Sequence, residues 1–340
     1  MAVGDIVAAP FSMSFIATDH LLPMHRRIAL REGYRCRMTR TNQTPHRLAP
    51  AWLADLFPKF MVDASPLRWG FRNESWKVTL ADGRRLAVTR LIDGRSAGVV
   101  PALVAAVQPR FADVGLPVPA LVARSTPWPE DVLVTDYLEG EPGAVLLSTR
   151  SGPRSVGAMC GAAWLTIRQV DPTGLGLPDL WASPDKLARE ARAWAAALGT
   201  ALGEADRIGL EDLIARLPGL LSGRPVTVVH GDLVPVNVLV RDGRLVALLD
   251  LESVRLADPV LDAAWFDRIV WFHHPTEHPE AWAGFTRAAG LDKDEPITQA
   301  LLQVLPVIRI LELSDGLGPG APTYALCIQQ LQAFLRAGPH

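Results

Sequence analysis

The chain has 340 residues, of which 49% are apolar and 21% charged, and its formal net charge is −2. This composition is typical of a globular protein with a substantial core. The near balance of acidic and basic residues argues against nucleic acid or an anionic membrane as a partner. Three widely spaced cysteines form neither a disulfide framework nor a metal site, which favours a reducing, cytoplasmic compartment. Apolar runs stay short of the roughly 18 residues that a membrane span needs.

The N-terminal part of the chain is predicted to form an extension followed by a small β-rich lobe. Residues 1–45 show no sustained periodicity and lack the leader of a signal peptide, so we expect a partly disordered or loosely docked extension. Residues 46–139 form the predicted N-lobe, with a hairpin around the two-residue turn Asp82-Gly83. Its predicted elements are a helix at 48–60, strands at 76–80, 85–91 and 132–137, and a short helix at 101–114.

Residues 140–340 are predicted to form a larger, mainly helical C-lobe. Apolar residues recur there at helical spacing, interrupted by a β-hairpin at 226–250. The predicted helices centre on residues 156–170, 187–198, 210–217, 297–313 and 323–335. The order of elements predicts an α+β protein of two lobes, with a ligand cleft between them.

The most informative segment is the string HGDLVPVNVLV at residues 230–240, which precedes the turn Asp242-Gly243. Counting outward from a two-residue turn pairs Asn237 with Leu248 and Pro235 with Asp250, so Asn237 and Asp250 share one face of the hairpin. An amide oxygen and a carboxylate at that spacing suit Mg²⁺, which takes few protein ligands.

Asp232 lies on the loop that enters this hairpin, where a carboxylate can accept the proton of an incoming hydroxyl. A lone Asp-x4-Asn pattern recurs by chance, and Asp232 and Asn237 would then be ordinary loop residues. The full string, the hairpin and Asp250 occur here together and in order. We therefore favour a catalytic site.

Several strings together resemble the aminoglycoside phosphotransferase and choline kinase family. They are HGDLVPVNVLV, then LLDLES at 248–253, Ala257-Asp258-Pro259 and Asp262. The resemblance implies a protein-kinase-like two-lobe fold that uses ATP and Mg²⁺ to phosphorylate a hydroxyl of a small molecule. It assigns Asp232 as the catalytic base and Asn237 and Asp250 as metal ligands. His230, Asp258 and Asp262 match positions that support the loop.

The resemblance extends to the nucleotide side. Residues 70–78 are similar to the hairpin that covers the phosphates in this family, and residues 136–140 are similar to the hinge whose backbone holds adenine. The cofactor-binding residues predicted on this basis and from the strand pattern are Gly70, Asn73, Ser75, Val78, Ala87, Arg90, Asp136 and Leu138.

One part of the family pattern is missing. The lysine that reaches the phosphates falls on Thr89, and residues 95–114 contain no glutamate to pair with it. Counting from the Asp82-Gly83 turn puts Ala87 and Thr89 on one face with Val78, and it gives Lys77 the wrong parity. Three alternatives remain: Arg90, favoured over Lys77, replaces the lysine; a distant cation does; or nucleotide binding is weak or lost.

Other candidates lie beyond the catalytic hairpin. The histidines of segment 273–278 suggest a metal cluster, but Pro275 breaks the helical spacing and His-rich loops are often solvated. Trp265 either contributes to an acceptor pocket or packs in the core. A weak excess of carboxylates hints at a polycationic acceptor, namely Asp262, Asp267, Glu277 and Glu280.

The sequence therefore predicts an ATP-dependent phosphotransferase acting on the hydroxyl of a small molecule, either an aminoglycoside-like antibiotic or another small alcohol. Because the phosphate-binding lysine is missing, the alternative is a catalytically impaired, kinase-like protein that binds nucleotides or small molecules. The sequence does not indicate an oligomeric state.

Overall fold

A five-stranded antiparallel sheet, in the order β1-β2-β3-β5-β4, forms the core of the N-lobe. The computed structural model describes residues 49–57, 60–67, 73–91, 99–125, 132–321 and 323–337. The predicted N-terminal extension and Gly70 lie outside these residues. The N-lobe elements are α1 (Ala51–Leu56), β1 (Met61–Leu67), β2 (Glu74–Leu80), β3 (Arg85–Arg90), α2 (Val99–Asp113), β4 (Leu121–Ser125) and β5 (Val132–Asp136).

The loop between β2 and β3 has three residues, not the predicted two. The backbone amide of Leu80 donates to the carbonyl of Arg84 at 2.9 Å, and Gly83 adopts a φ of 84° inside the loop. That conformation costs glycine little, which allows the extra loop residue. The register is therefore shifted by one from the predicted pairing, so that Val78 pairs with Leu86.

This shift exchanges the two faces of β2, whereas Ala87 and Thr89 of β3 keep the predicted cleft side. Trp76, Val78 and Val88 pack with the fully buried Leu53 of α1 in a small core on the outer face. The prediction that Val78 faces the nucleotide is therefore wrong. The residues that face the cleft side are the next ones along each strand, which are Ser75, Lys77, Ala87 and Thr89.

The C-lobe is built around one buried helix. Its elements are β6 (Glu141–Pro142), α3 (Gly143–Leu146), α4 (Gly152–Ile167), α5 (Pro184–Ala197), α6 (Glu204–Leu221), β7 (Thr227–Val229), β8 (Val238–Arg241), β9 (Arg244–Leu248), β10 (Arg255–Ala257), α7 (Val260–His273), α8 (His278–Ala289), α9 (Pro296–Leu317) and α10 (Tyr324–Arg336). Nearly every residue of α7 is buried, as expected of a helix that is apolar all round. α6 continues through Pro218, where the apolar stripe predicted an end.

The strands of the C-lobe differ from the single predicted hairpin at 226–250. β7 pairs with β10, and only β8 and β9 form a hairpin. Arg241 pairs with Arg244 as predicted, but an irregularity between Leu239 and Val240 shifts the register beyond it. Val238, not Asn237, therefore pairs with Leu248.

Helices α4 and α8 approach closely because α4 carries glycines at the contact. A Cβ atom on Gly157 would lie 1.9 Å from the carbonyl oxygen of Ala281, and one on Gly161 would lie 2.4 Å from that of Phe285. Both distances are far below van der Waals contact. The contact therefore requires glycine at these positions.

The 22-residue helix α9 is long and apolar enough, by length and composition, to cross a membrane. Its sequence has no uninterrupted apolar run of that length, because Gln303, Arg309 and Glu312 interrupt it. Within the fold, 67% of its most apolar window is buried, which is typical of a core helix in a soluble protein.

A second apolar cluster joins the lobes, since Val107 and Phe111 of α2 pack with Trp164 and Phe266 of the C-lobe.

Candidate active site

The carboxylate of Asp232 is held at the base of a cleft of about 410 Å³ between the lobes. The indole nitrogen of Trp265 donates to its Oδ1 at 2.7 Å, and Nδ2 of Asn237 donates to its Oδ2 at 2.8 Å. The same Nδ2 also donates to the backbone carbonyl of Asp232 at 2.9 Å. Both carboxylate oxygens are thus fixed in orientation, and each retains a further lone pair.

The loop that carries Asp232 is supported from beneath by Asp262. This buried carboxylate accepts hydrogen bonds from the backbone amides of His230 and Gly231, each at 2.7 Å. Burial raises the pKa of Asp262 to about 7, and the two amide donors act in the opposite direction. Gly231 has a φ of 77°, and a Cβ there would lie 2.3 Å from the carbonyl oxygen of Ser253. The loop conformation therefore depends on glycine.

His230 links this loop to the end of β9. Its Nδ1 accepts the backbone amide of Asp232 at 3.2 Å, and its Nε2 lies 3.0 Å from the carbonyl oxygen of Leu249. Burial lowers the pKa of His230, which favours the neutral ring. A neutral imidazole with a proton on Nε2 satisfies both contacts.

Asn237 and Asp250 lie in the same cleft as Asp232, although the predicted strand pairing is wrong. Asn237 ends a 3₁₀ turn (Pro235–Asn237), and its carbonyl accepts the amide of Leu249 at 2.8 Å. Asp250 has left-handed backbone angles, φ 62° and ψ 67°, which a non-glycine residue seldom adopts. A turn and a strained residue bring the two side chains together, rather than strand alternation.

The pair fits the requirements of Mg²⁺. Because the amide nitrogen of Asn237 is committed to Asp232, its oxygen is the atom available to a hard cation. Asp250 contributes a carboxylate, and Mg²⁺ commonly takes one or two protein oxygens with the rest from phosphates and water. Within the described ranges, no group of three or more His, Cys, Asp or Glu side chains converges on a metal position.

The hinge predicted to hold adenine borders the cleft. Asp136 and Leu138 line it together with Ala87 of β3. The backbone amide of Asp136 donates to Ala120, and that of Tyr137 donates to Arg85, each at 3.0 Å. These bonds fix the path of the chain between the lobes.

The position expected to carry a lysine is occupied by a hydroxyl pair. Oγ1 of Thr89 lies 3.0 Å from Oγ of Ser75, and both residues line the cleft. Arg90 faces the other way, 5.4 Å from the ring centre of Trp52 and 3.6 Å from Glu74. The prediction that Arg90 replaces the lysine is therefore wrong, because alternation along β3 directs it away from the cleft.

Lys77 shares the cleft-side face of the sheet, contrary to the parity predicted for it. Its Nζ lies 4.4 Å from the ring centre of Tyr137 and 3.8 Å from Glu139, at the hinge. Among the described residues that line the cleft, Arg309 is the one arginine or lysine. Glu312 accepts a hydrogen bond from Arg309 at 2.6 Å, which offsets much of its charge.

A hydrogen bond joins the two lobes close to Asp250, in the part of the cleft that is expected to hold the phosphates and that we call the phosphate end. Nδ2 of Asn73, on the N-lobe, donates to Glu252 at 2.8 Å, and both line the cleft. Glu252 lies in the 3₁₀ turn (Leu251–Ser253) that follows Asp250. No sequence pattern links these two positions, which are 179 residues apart.

The opposite end of the cleft, beyond Asp232, is mainly apolar. We call it the acceptor end; it is lined by Val234, Val236, Trp265, Ile269, His273, Ile310, Leu317, Thr323, Leu326, Cys327 and Gln330. Trp265 both packs in the core and borders the cleft. Its ring packs edge-on against Phe334, with 6.5 Å between the ring centres, and its indole nitrogen donates to Asp232.

The histidines at 273–278 are buried, not solvated as expected. Nε2 of His273 lies 2.9 Å from Gln330, and Nε2 of His278 lies 2.7 Å from Asp267. Burial lowers the pKa of His273 to about 3 and that of His274 to about 4, so both rings are neutral near pH 7. They form part of the core and of the cleft wall.

The carboxylates considered for a polycationic acceptor do not line the cleft. Asp262 supports the catalytic loop, Asp267 contacts His278, and Glu280 accepts a hydrogen bond from Arg154 at 2.8 Å. Glu277 is likewise absent from the lining. The prediction that these carboxylates bind a polycationic acceptor is therefore wrong.

Comparison with solved structures shows the same fold in antibiotic-modifying enzymes. An aminoglycoside-3'-phosphotransferase of type VIII is 24% identical, with a TM-score of 0.54 over 70% of this chain and 87% of that chain. A macrolide 2'-phosphotransferase from Brachybacterium faecium is 18% identical, with a TM-score of 0.54 over 85% and 98%. A thermostable aminoglycoside phosphotransferase in ternary complex with AMP-PNP and hygromycin B is 15% identical, with a TM-score of 0.63 over 85% and 99%.

A search of curated proteins finds no match. The solved structures confirm the predicted α+β, two-lobe, kinase-like fold. The family model described as "Phosphotransferase enzyme family" (APH) matches residues 63–299, which is well over half of the chain. That match runs from the first strand of the N-lobe through the catalytic loop and into α9. The chain therefore belongs to the phosphotransferase enzyme family.

Proposed function

We propose that the protein transfers the γ-phosphate of ATP to a hydroxyl of a small molecule, with Asp232 as the catalytic base. The observation that carries this proposal is the convergence of Asp232, Asn237 and Asp250 on one cleft, with both oxygens of Asp232 anchored by N–H donors. Family membership and solved relatives bound to ADP or AMP-PNP support ATP as the donor.

Asp232 orients the acceptor hydroxyl and takes its proton as the oxygen attacks phosphorus. The N–H donors from Trp265 and Asn237 leave further lone pairs on the carboxylate, so the hydroxyl binds without displacing either donor. Asn237 and Asp250 would hold Mg²⁺, which when bound neutralises charge on the phosphates. Because little covalent chemistry falls to the protein, alignment of the hydroxyl is its main contribution.

The nucleotide is proposed to lie against the hinge, with the backbone of Asp136 and Leu138 holding adenine and Ala87 over the base. Asn73 and Ser75 are proposed to contact the phosphates. The cleft wall offers hydroxyls of Ser75 and Thr89 where a lysine is expected. We therefore expect the metal site to supply most of the charge neutralisation, and ATP binding to depend strongly on Mg²⁺.

A cytoplasmic location follows from this proposal. Cys160 is a buried free thiol in the described part of the chain, which suits a reducing compartment. ATP as the donor points to the same compartment.

The test is the substitution Asp232→Asn. We expect ADP release with a panel of hydroxylated acceptors to fall by at least about a hundredfold, the usual contribution of a positioned base. Thermal stabilisation by ATP with Mg²⁺ should persist, about 2.7 kcal/mol at a hundredfold excess over the dissociation constant.

The matched control is Asp242→Asn, which makes the same change on the exposed turn between β8 and β9. Asparagine tolerates the positive φ there, so its activity should equal that of the unmodified chain. Unchanged turnover in Asp232→Asn would contradict the assignment. Absent ADP release together with intact ATP binding in the unmodified chain would instead indicate a kinase-like binding protein.

A further inference from the structure

The acceptor end of the cleft has an unusual distribution of charge for a pocket that is expected to hold an amino sugar. Six of the side chains that form its wall are aliphatic, and four of them lie on helices: Ile269, Ile310, Leu317 and Leu326. They come from three helices, α7, α9 and α10, so the apolar wall surrounds this end rather than forming a single stripe. Burial of a ligand's apolar surface against these groups is favourable in proportion to its area.

The polar groups at this end are neutral or positive. Gln330 contacts His273, and burial lowers the pKa of that ring to about 3, so it carries no charge near neutral pH. Thr323 contributes a hydroxyl. Arg309 lies beside this end, where it donates to the carbonyl of Gly231, to Ser253 and to Glu312.

The carboxylates among the described residues that line the cleft lie away from the acceptor end. Asp136 is at the hinge, and Asp250 and Glu252 are at the metal and phosphate end. Asp232 contacts Trp265 of the acceptor end, and the proposed mechanism commits it to the reacting hydroxyl. Glu312 of α9 is already paired with Arg255 and Arg309. A ligand with several ammonium groups would thus lose hydration without gaining ion pairs, which is unfavourable.

We propose that the acceptor is a predominantly apolar molecule that presents a hydroxyl to Asp232 and carries no cluster of positive charges. The inference rests on the proposed function, because it takes the end of the cleft beyond Asp232 as the acceptor site. It selects one substrate class among those that the fold accommodates. The hydroxyl is the polar anchor, and the rest of the molecule lies along the aliphatic wall.

A series of simple alcohols and one matched amino alcohol test this assignment. Binding of 1-propanol, 1-hexanol and 1-octanol is measured by calorimetry in the presence of Mg²⁺ and ADP, followed by 8-amino-1-octanol. We expect affinity to rise by about fourfold per methylene along the first series. The terminal ammonium should weaken binding by at least tenfold relative to 1-octanol at pH 7.

A charge introduced into the wall should reverse this preference. Leu326→Asp places a carboxylate at the acceptor end, so it should weaken binding of 1-octanol and strengthen that of 8-amino-1-octanol. Ala325→Asp makes the same charge change at the neighbouring, exposed position of α10 and should leave both affinities unchanged. Thermal unfolding of both variants, with and without ATP, confirms that the fold is retained.

Equal or tighter binding of the amino alcohol by the unmodified chain would overturn the inference, as would affinity independent of chain length. ADP release is measured separately with the same compounds and with an aminoglycoside. Turnover of the aminoglycoside without binding of 1-octanol would retain the proposed function and reject the apolar acceptor. Chain-length-dependent binding without any ADP release would retain the apolar site and reject the proposed function.

Discussion

The side chains around Asp232 do more than surround a reactive group. Trp265 and Asn237 each donate an N–H hydrogen bond to a different oxygen of the Asp232 carboxylate. The neutral ring of His230 accepts a hydrogen bond from the backbone amide of Asp232. Hydrogen bonds to an ionised acceptor are stronger than those between neutral groups. The position of the proposed base is therefore fixed before an acceptor binds, which would limit reorganisation during the reaction.

At this scale the contribution of Trp265 is testable. Trp265→Phe keeps an aromatic ring against Phe334 but removes the N–H that donates to Asp232. We expect kcat to fall roughly five- to thirtyfold, equivalent to the loss of about 1–2 kcal/mol of orientation. KM for ATP should be unchanged, because Trp265 lies at the acceptor end and not at the hinge.

The control is Trp271→Phe on the same helix, since Trp271 also contacts Phe334, 6.4 Å between ring centres, but is not among the residues that line the cleft. It should leave kcat unaltered. Equal losses of kcat in both variants would mean that Trp265 acts only through packing.

Sequence reasoning identified the residues that we propose to take part in the reaction, but not the residues that support them. Asp232, Asn237 and Asp250 were identified from an ordered string, and the structure brings all three to one cleft. The bond from Trp265 was not foreseeable, because 33 residues separate it from Asp232 and any apolar helix shows the same aromatic pattern. Contacts of this kind depend on how α7 is rotated against the loop, which periodicity does not define.

At the scale of elements, small departures at turns decided which predictions failed. One additional loop residue between β2 and β3 moved Val78 to the outer core and Lys77 to the cleft face. An irregularity in β8 moved the partner of Leu248 by one residue. Because side chains alternate along a strand, an error of one residue reverses the whole face. Helices were less sensitive, since their apolar stripes tolerate errors of a residue or two at the ends.

The contact between α4 and α8 gives a prediction at this scale. Gly157→Ala forces a methyl group to within 1.9 Å of the carbonyl oxygen of Ala281, so the helices must separate. We expect the free energy of unfolding to fall by about 1–3 kcal/mol, as for overpacked cores. Denaturant titration measures the change.

Gly209→Ala in α6 is the matched control, because a Cβ there has nothing within 4 Å. It should raise the free energy of unfolding by about 0.5–1 kcal/mol through helix propensity. Equal stability of Gly157→Ala and the unmodified chain would show that the two helices separate without cost.

Across the whole molecule, buried neutral histidines link stability to pH. The pKa of His273 is lowered to about 3 and that of His274 to about 4, in both cases mainly by burial. In the unfolded chain both titrate near 6.5. As the pH falls below 6.5 the unfolded chain takes up protons that the folded protein excludes, so each histidine lowers stability by about 1.4 kcal/mol per pH unit. For His274 this loss continues until the pH approaches 4.

Replacing one ring isolates its contribution. His274→Gln should lose less stability than the unmodified chain between pH 7.5 and pH 5, by about 2 kcal/mol, when both are unfolded in denaturant at each pH. The difference between the two chains removes the opposing contribution of Asp262, whose pKa is raised by burial to about 7. Parallel pH profiles would show that His274 becomes protonated within the fold.

The backbone of Asp250 has a practical consequence for mutagenesis. Its left-handed angles suit aspartate, asparagine and glycine, whereas alanine is disfavoured there. An alanine scan at this position would therefore mix conformational strain with the loss of a ligand and overstate the importance of the carboxylate. Asparagine preserves the turn and removes the charge, so Asp250→Asn is the substitution that tests the proposed metal binding without adding backbone strain.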